Sequence, residues 1–265
     1  MIDFWIEGVG IYAPGLVGWE RAAAVLAGRA PYEPEAPPKL APELLPPDVR
    51  RRTTEHIRLA VEVATQATRH AQADPALLGT VFATSESDGA INHSICEEVA
   101  KDKPEVSPTR FHNSVTTAPA GYWCMAVQSR APSTSLCAFD ASFAAGLVEA
   151  GMQVGAEHST ILLVVHDTPF PEPLHSVRPM SALFGMALVL SPVRSVHSLA
   201  RLALAIEPTL YPLSRMPNAG LDGLRTGNPA ARALPLLAAL ARREASKLFV
   251  PYVHSQALQL TVTPA

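Results

Sequence analysis

A single α/β domain, one sheet with helices on both faces, is what the sequence predicts, and three features carry the prediction. Ile161–Val165 and Phe184–Leu190 are short, wholly apolar runs of the kind found in strands buried on both faces. Ile57, Ala60, Val61, Ala64, Ala67 and Ala71 recur at helical spacing and form one apolar stripe. Strands and helices of these kinds alternate along the chain, with no tandem repeat and no linker separating independent domains.

In chain order, residues 2–12 read as a strand, with Ile2, Phe4, Ile6, Val9 and Ile11 apolar and Gly8 and Gly10 marking a break or a close approach. Pro14-Gly15 is a turn. Gly18–Ala27 reads as a helix with Trp19, Ala23 and Leu26 on one face and Gly28 as its cap. Residues 31–47 hold seven prolines, which predicts an extended surface segment. Thr53 or Thr54 caps the long helix to Gln72. Arg50-Arg51-Arg52 before it reads as a solvated triplet, with an acidic partner as the alternative.

Residues 79–84 form a buried strand, and Ser85–Gly89 leads into another helix. Asn113–Gln128 reads as one helix, interrupted early by Pro119. Ser133–Ala138 is a strand that turns sharply into a helix at Ser142–Val154. Leu199–Ile206 is a strand and 207–227 a loop rich in Pro and Gly. Asn228-Pro229 opens a helix to about Lys247 that Pro235 delays or kinks. Leu258, Leu260 and Val262 alternate as a closing strand.

Bulk properties exclude several classes. Over 265 residues the formal charge is −3, so there is no nucleic-acid footprint. No apolar run approaches the ~18 residues of a membrane span, and the opening residues lack a signal-peptide pattern. Cys96, Cys124 and Cys137 are odd in number and fit no CxxC spacing, so neither a disulfide framework nor a zinc knuckle is expected, and a cytoplasmic location is. No metal and no cofactor is expected.

Motifs narrow the fold. Ile6–Gly15 resembles the first strand and turn of β-ketoacyl synthases, and Leu26-Ala27-Gly28-Arg29 the helix end that follows. Ser107–Val115 with Ala118-Pro119-Ala120-Gly121 resembles that family's interface segment. Ala131–Leu136 resembles its nucleophile strand, and Pro179–Leu190 the strand that ends its first half. The resemblance covers residues 1–192 and implies a thiolase-like amino-terminal half with a central mixed sheet. Residues 193–265 are then an abbreviated carboxyl-terminal part on the same sheet.

In active members of the family a cysteine sits at the strand-to-helix turn, where a helix amino terminus stabilises its thiolate. Ungapped alignment of the flanking elements puts that position on Asp140, or on Phe139 if the register slips by one. Cys137 falls inside the strand and reads as a small buried residue. Asp140 reads as a helix cap. The family's two catalytic histidine motifs are absent; His197 and His254 have other neighbours. No catalytic residue is therefore expected.

The resemblance implies a chain-length-factor-like subunit that pairs with a full-length ketosynthase in fatty acid or polyketide (aryl polyene) biosynthesis and meets acyl carrier protein through that complex. Leu136 would pair strands across the interface, and Phe111, His112, Asn113, Tyr122 and Trp123 would shape the acyl tunnel. Two alternatives stand beside it: an acyltransferase or hydrolase using Cys137, or a serine, with His112 or His166 as base, and a scaffold with no acyl contact.

Overall fold

Nine strands join into one mixed sheet in the computed structural model, which describes residues 2–265. They are β1 (Ile2–Ala13), β2 (Leu16–Val17), β3 (Gly79–Thr84), β4 (Ser133–Cys137), β5 (Ile161–Asp167), β6 (Phe184–Ser191), β7 (Ala200–Pro208), β8 (Ser246–Pro251) and β9 (Gln256–Pro264). Their order is β4-β3-β5-β6-β1-β7-β9-β8, with β2 folded back on β1. β4, β3 and β5 run parallel; from β5 onward every pairing is antiparallel. β3, β5 and β6 are buried along their whole length, as their apolar runs require, and Thr80, Thr84, His166, Asp167 and Ser191 are buried with them.

The helices are α1 (Trp19–Leu26), α2 (Pro47–Arg50), α3 (Glu55–Ala71), α4 (Gly89–Val99), α5 (Pro108–Asn113), α6 (Ala118–Val127), α7 (Ser142–Glu157), α8 (Leu174–Val177), α9 (Ala219–Gly227) and α10 (Leu234–Arg242). α3 and α6 cover one face of the sheet, against Phe82, Leu162, Val164, Ala187 and Val189. α1, α7, α9 and α10 cover the other, against Leu163, Val165, Leu188, Leu202 and Leu260. α10 is apolar all round, and all of it from Leu234 to Ala241 is buried.

α3 is set by its sequence. Thr54, not Thr53, caps it by accepting the Ile57 N–H, and the whole expected stripe is buried. The helix lies backbone-close to β1 because β1 has glycine at two facing positions. A Cβ on Gly8 would stand 2.2 Å from the Ala67 carbonyl oxygen, and one on Gly10 2.1 Å from that of Val63. The β1–β6 register also shifts between Ile6 and Gly8, so the glycines mark both a bulge and a close approach. Beyond Ile6 the other edge of β1 leaves the β7 pairing, and α3 supplies the acceptors: His70 Nδ1 for Val9 N–H and Gln66 Oε1 for Ile11 N–H, each at 3.0 Å.

Four expectations need correction. Residues 113–128 are two helices, because Pro119 starts α6 in its first turn and Asn113 is held at the end of α5 by bonds to Arg52 O and the Tyr122 hydroxyl. The 207–227 loop contains α9, capped by Asn218 and packed through Leu221 and Leu224. The last helix stops at Arg242 rather than near Lys247: Arg243 turns left-handed (φ 55°), its N–H closing on Leu240 O, and 246–251 becomes β8. The proline-rich 31–47 segment is irregular over its first half, but it buries Leu40 and Leu45 and is not wholly at the surface.

Gly10→Ala should therefore destabilise the protein by about 2 kcal/mol or more, because the clash is with helix backbone that cannot swing aside. Gly121→Ala, where a Cβ meets nothing within 4 Å, should cost nothing or stabilise slightly. Urea unfolding of the two variants checks the contrast.

Candidate functional site

The candidate site is the turn from β4 into α7, and its geometry starts from a buried carboxylate. Asp167, the last residue of β5, accepts from Thr84 Oγ1 (2.8 Å), Ser85 N–H (2.7 Å), Ser85 Oγ (2.8 Å) and Ala230 N–H (3.1 Å). The two residues it fixes at the end of β3 then fix the turn. Ser85 O accepts the Phe139 N–H at 3.2 Å, and Thr84 O accepts the Ser142 hydroxyl at 2.9 Å.

Phe139 is the apex, with φ at 49°, a conformation that costs a bulky L-residue roughly 1–3 kcal/mol. Its ring is half exposed, and the Arg178 guanidinium lies over it, 3.5 Å from the centroid. Asp140 is not a helix cap: α7 has no side-chain cap bond. Its carboxylate is taken instead by two arginines, Arg178 Nη2 at 3.2 Å and Arg232 Nη2 at 3.3 Å. Arg178 Nε also stands 2.7 Å from Glu86 Oε1, so one guanidinium ties the turn to the loop after β3. A cavity of about 190 Å³ opens beside this cluster, between Asp140, Arg178, Arg232, Met180 and Thr226. The apex thus carries neither thiol nor hydroxyl, and the nearby Ser142 hydroxyl is fully buried and already donating to backbone carbonyls.

Cys137 ends β4 and is exposed, not buried as its place in a strand implied, because β4 is the outermost strand of the sheet. Its sulfur has Ser87 Oγ at 3.7 Å and Thr116 Oγ1 at 3.8 Å. Among the described residues no hydrogen bond joins it to a histidine. His112 packs edge-on to Tyr122, and His166 is buried under α3, 4.3 Å ring to ring from His56. Burial pushes the His56 pKa well below the ordinary imidazole value, against a smaller opposing effect of Asp88. Burial also holds that of His166 well below the ordinary value, with His56 adding to it. Neither nitrogen of His166 has a partner among the described residues.

The residues expected at an interface divide. Phe111 and His112 are exposed and Leu136 is half-buried on the β4 edge. Trp123 and Tyr122, expected to shape the acyl tunnel, are buried in the chain's own core, while Met125 on the same helix is exposed. The composition of α6 hides this, since its apolar residues run all round the helix and give no stripe from which to read the buried side. Asp167, Arg178, Arg232 and Glu86 were not foreseen. The polar pair His166-Asp167 directly after the apolar run Ile161–Val165 was the available sign for Asp167; Arg178 in a bend and Arg232 in a short 3-10 helix carry none.

The family model for the β-ketoacyl synthase amino-terminal domain matches residues 19–220. The chain belongs to that family. Among solved structures, a chain of the complex of the ketosynthase ApeO with its chain length factor ApeC from Xenorhabdus doucetiae superposes with a TM-score of 0.75 at 21% identity, over 99% of this chain and 100% of that one. The ishigamide ketosynthase/chain length factor gives 0.72 at 12% identity over 99% of both chains. A β-ketoacyl synthase from Burkholderia phymatum STM815 gives 0.71 at 10% identity over the full length of both. These likenesses establish the thiolase-like fold. No curated protein matches the sequence. No helix among the described residues is long and apolar enough to cross a membrane.

The buried groups around this β-ketoacyl synthase-like turn give a pH prediction. His56 and His166 refuse a proton that the unfolded chain takes near pH 6.5, so their stabilisation is lost as pH falls below about 6.5. Asp167 acts in the opposite sense: burial, partly offset by its donors, raises its pKa to about 6. It favours the fold as pH falls from about 6 toward about 4. Two histidines outweigh one aspartate, so the urea midpoint should fall between pH 7.5 and 5. In His166→Leu the fall should be visibly smaller; an identical fall would remove the histidine pair as its cause.

Proposed function

We propose that this β-ketoacyl synthase family member is a non-catalytic, chain-length-factor-like subunit that pairs with a cysteine-bearing ketosynthase in fatty acid or polyketide biosynthesis, aryl polyene systems included. The observation that carries the proposal is an asymmetry between the two ends of the sheet. The β8 edge is closed by the chain itself, since Ser214 N–H donates to Phe249 O at 2.8 Å and Ser214 Oγ accepts the Phe249 N–H at 3.0 Å. The β4 edge has no such cover; among the described residues β4 pairs with β3 alone. A bare edge of this kind is a template for another chain.

What flanks β4 supports the same reading. α6 and α7 lie on its two faces and expose Met125 and Met152, while Phe111 and Val115 stand exposed in the segment whose Thr116 reaches Cys137. In the paired state Leu136 and its neighbours join strands, Phe111 and His112 reach the partner's acyl tunnel, and Asn113 and Tyr122 hold that segment in place. Acyl carrier protein is met through the complex. Residues 1–192 form the synthase-like part and 193–265 the shorter extension of the same unit. The turn at Phe139-Asp140 stands where an active synthase keeps its thiol, so the chemistry belongs to the partner. Complexes of a ketosynthase with a chain length factor are among the solved structures of similar fold.

Co-expression with a full-length ketosynthase should yield a heterodimer on size exclusion. Phe111→Arg/Met125→Arg should abolish it while leaving the thermal midpoint of the chain unchanged, because both side chains are exposed in the single chain. A soluble monomer that ignores the ketosynthase sinks the proposal.

The exposed Cys137 thiol is the one feature that favours the acyltransferase alternative. Intact mass after incubation with acyl-CoA should show no adduct on the chain alone, and pairing should protect Cys137 from maleimide. A stoichiometric acyl adduct on Cys137 would reverse the assignment.

A further inference from the structure

A cleft of about 480 Å³ lies away from the turn, where α1, α3 and α10 end near residues 196–199. None of its lining residues belongs to β3, β4 or the 138–142 turn. The volume suits a small organic ligand, since such sites run from roughly 300 to 1,000 Å³. Ala23, Leu199, Leu240 and Ala241 give its lining an apolar part. One wall is the half-buried Trp19, whose ring stands 6.4 Å from that of His70 at a 33° tilt.

Two guanidiniums without partners, Arg29 and Arg243, line this cleft together with the imidazoles of His70 and His197. Arg29 and Arg243 both line it and both are exposed, and among the described residues neither side chain makes an ion pair or a hydrogen bond. Each follows a helix end, where an arginine often serves the last carbonyls. Here those carbonyls are already taken by backbone: Gly28 and Arg29 N–H close α1 on Val25 O and Ala24 O, and Arg243 and Glu244 N–H close α10 on Leu240 O and Ala239 O. The guanidiniums are left over. His70 accepts the Val9 N–H at Nδ1, which places its own proton on Nε2 as a further donor. Glu7, the one acidic side chain lining the cleft, is held by the Ser195 hydroxyl.

We propose that this cleft binds an organic oxyanion with a flat apolar body, its carboxylate or phosphate head between Arg29 and Arg243 and its body against Trp19. Guanidinium forks match both kinds of head, and a flat body stacks on the indole while covering the apolar part of the lining. The assignment does not depend on pairing through β4, because it uses none of the same residues.

Calorimetric titration of the full chain with 2-naphthoate, 2-naphthyl phosphate and the neutral 2-naphthamide tests it. At least one of the two anions should bind saturably, the amide at least tenfold more weakly, and the tighter anion identifies the head group. Arg29→Gln/Arg243→Gln should weaken the anion tenfold or more and leave the amide unchanged, with the thermal midpoint held. Trp19→Leu should weaken all three probes. Equal affinity for anion and amide, an unaffected double-arginine variant, or no saturable binding of either anion would overturn the proposal.

Discussion

The Asp167 carboxylate sits where β3, β5 and the turn before α10 meet, and the backbone of the β4–α7 turn is placed through the four donors it gathers. Ser85 and Thr84 are held by it, and their carbonyls in turn hold Phe139 and Ser142. Hydrogen bonds to a charged group contribute about 1.5–3 kcal/mol each, enough to keep Phe139 in a conformation that costs roughly 1–3 kcal/mol. Yet burial raises the Asp167 pKa to about 6 in spite of those donors, so the folded chain favours ionisation less than the unfolded chain does. The carboxylate's contribution is one of position, the use best attested for buried polar groups.

A strained turn held in this way is the architecture that presents a nucleophile, and here it presents a phenyl ring. The ring is covered by Arg178, and the next residue is shared between Arg178 and Arg232. Opposite charges at the turn are balanced: Arg178 and Arg232 face Asp140 and Glu86. Both arginines of that cluster are spent on carboxylates, whereas the two arginines of the distant cleft have no such partner among the described residues. Charge pairing, more than the count of arginines, separates the two sites.

How much of this the sequence shows depends on range. α3, β5 and β6 were legible because their periodicity and burial are properties of consecutive residues, and Gly8 and Gly10 because a bare Cα has few uses in a strand. α9 was hidden by three glycines, although Asn218 with Leu221 and Leu224 carried a cap and a stripe. β8 was hidden because Arg243 ends α10 without glycine or proline, by adopting a left-handed turn that no residue type announces. At the site, Asp140 had the look of a cap, and only arginines 38 and 92 residues away in sequence gave it another role. The register that separates Asp140 from the strained Phe139 is a matter of one residue, finer than an ungapped alignment of flanking elements resolves.

In the proposed pairing, the exposed apolar side chains offset the weakness of the edge they flank. β4 is five residues long, Ser-Thr-Ser-Leu-Cys, and has none of the usual edge protections: no proline, no charge, no bulge against β3. Strand pairing along so short an edge offers only a few backbone hydrogen bonds, each worth about 1 kcal/mol net. Association has to overcome an entropy loss of at least ~4 kcal/mol, so the edge alone cannot hold a partner. Apolar area has to supply the remainder, at about 25 cal/mol per Å² buried. Phe111, Val115, Met125 and Met152 are the side chains placed to give it, on the segment before β4 and on the helices of its two faces. The flexible methionines can adapt to a partner of different sequence, while the strand edge sets the register that a wholly apolar patch would leave open.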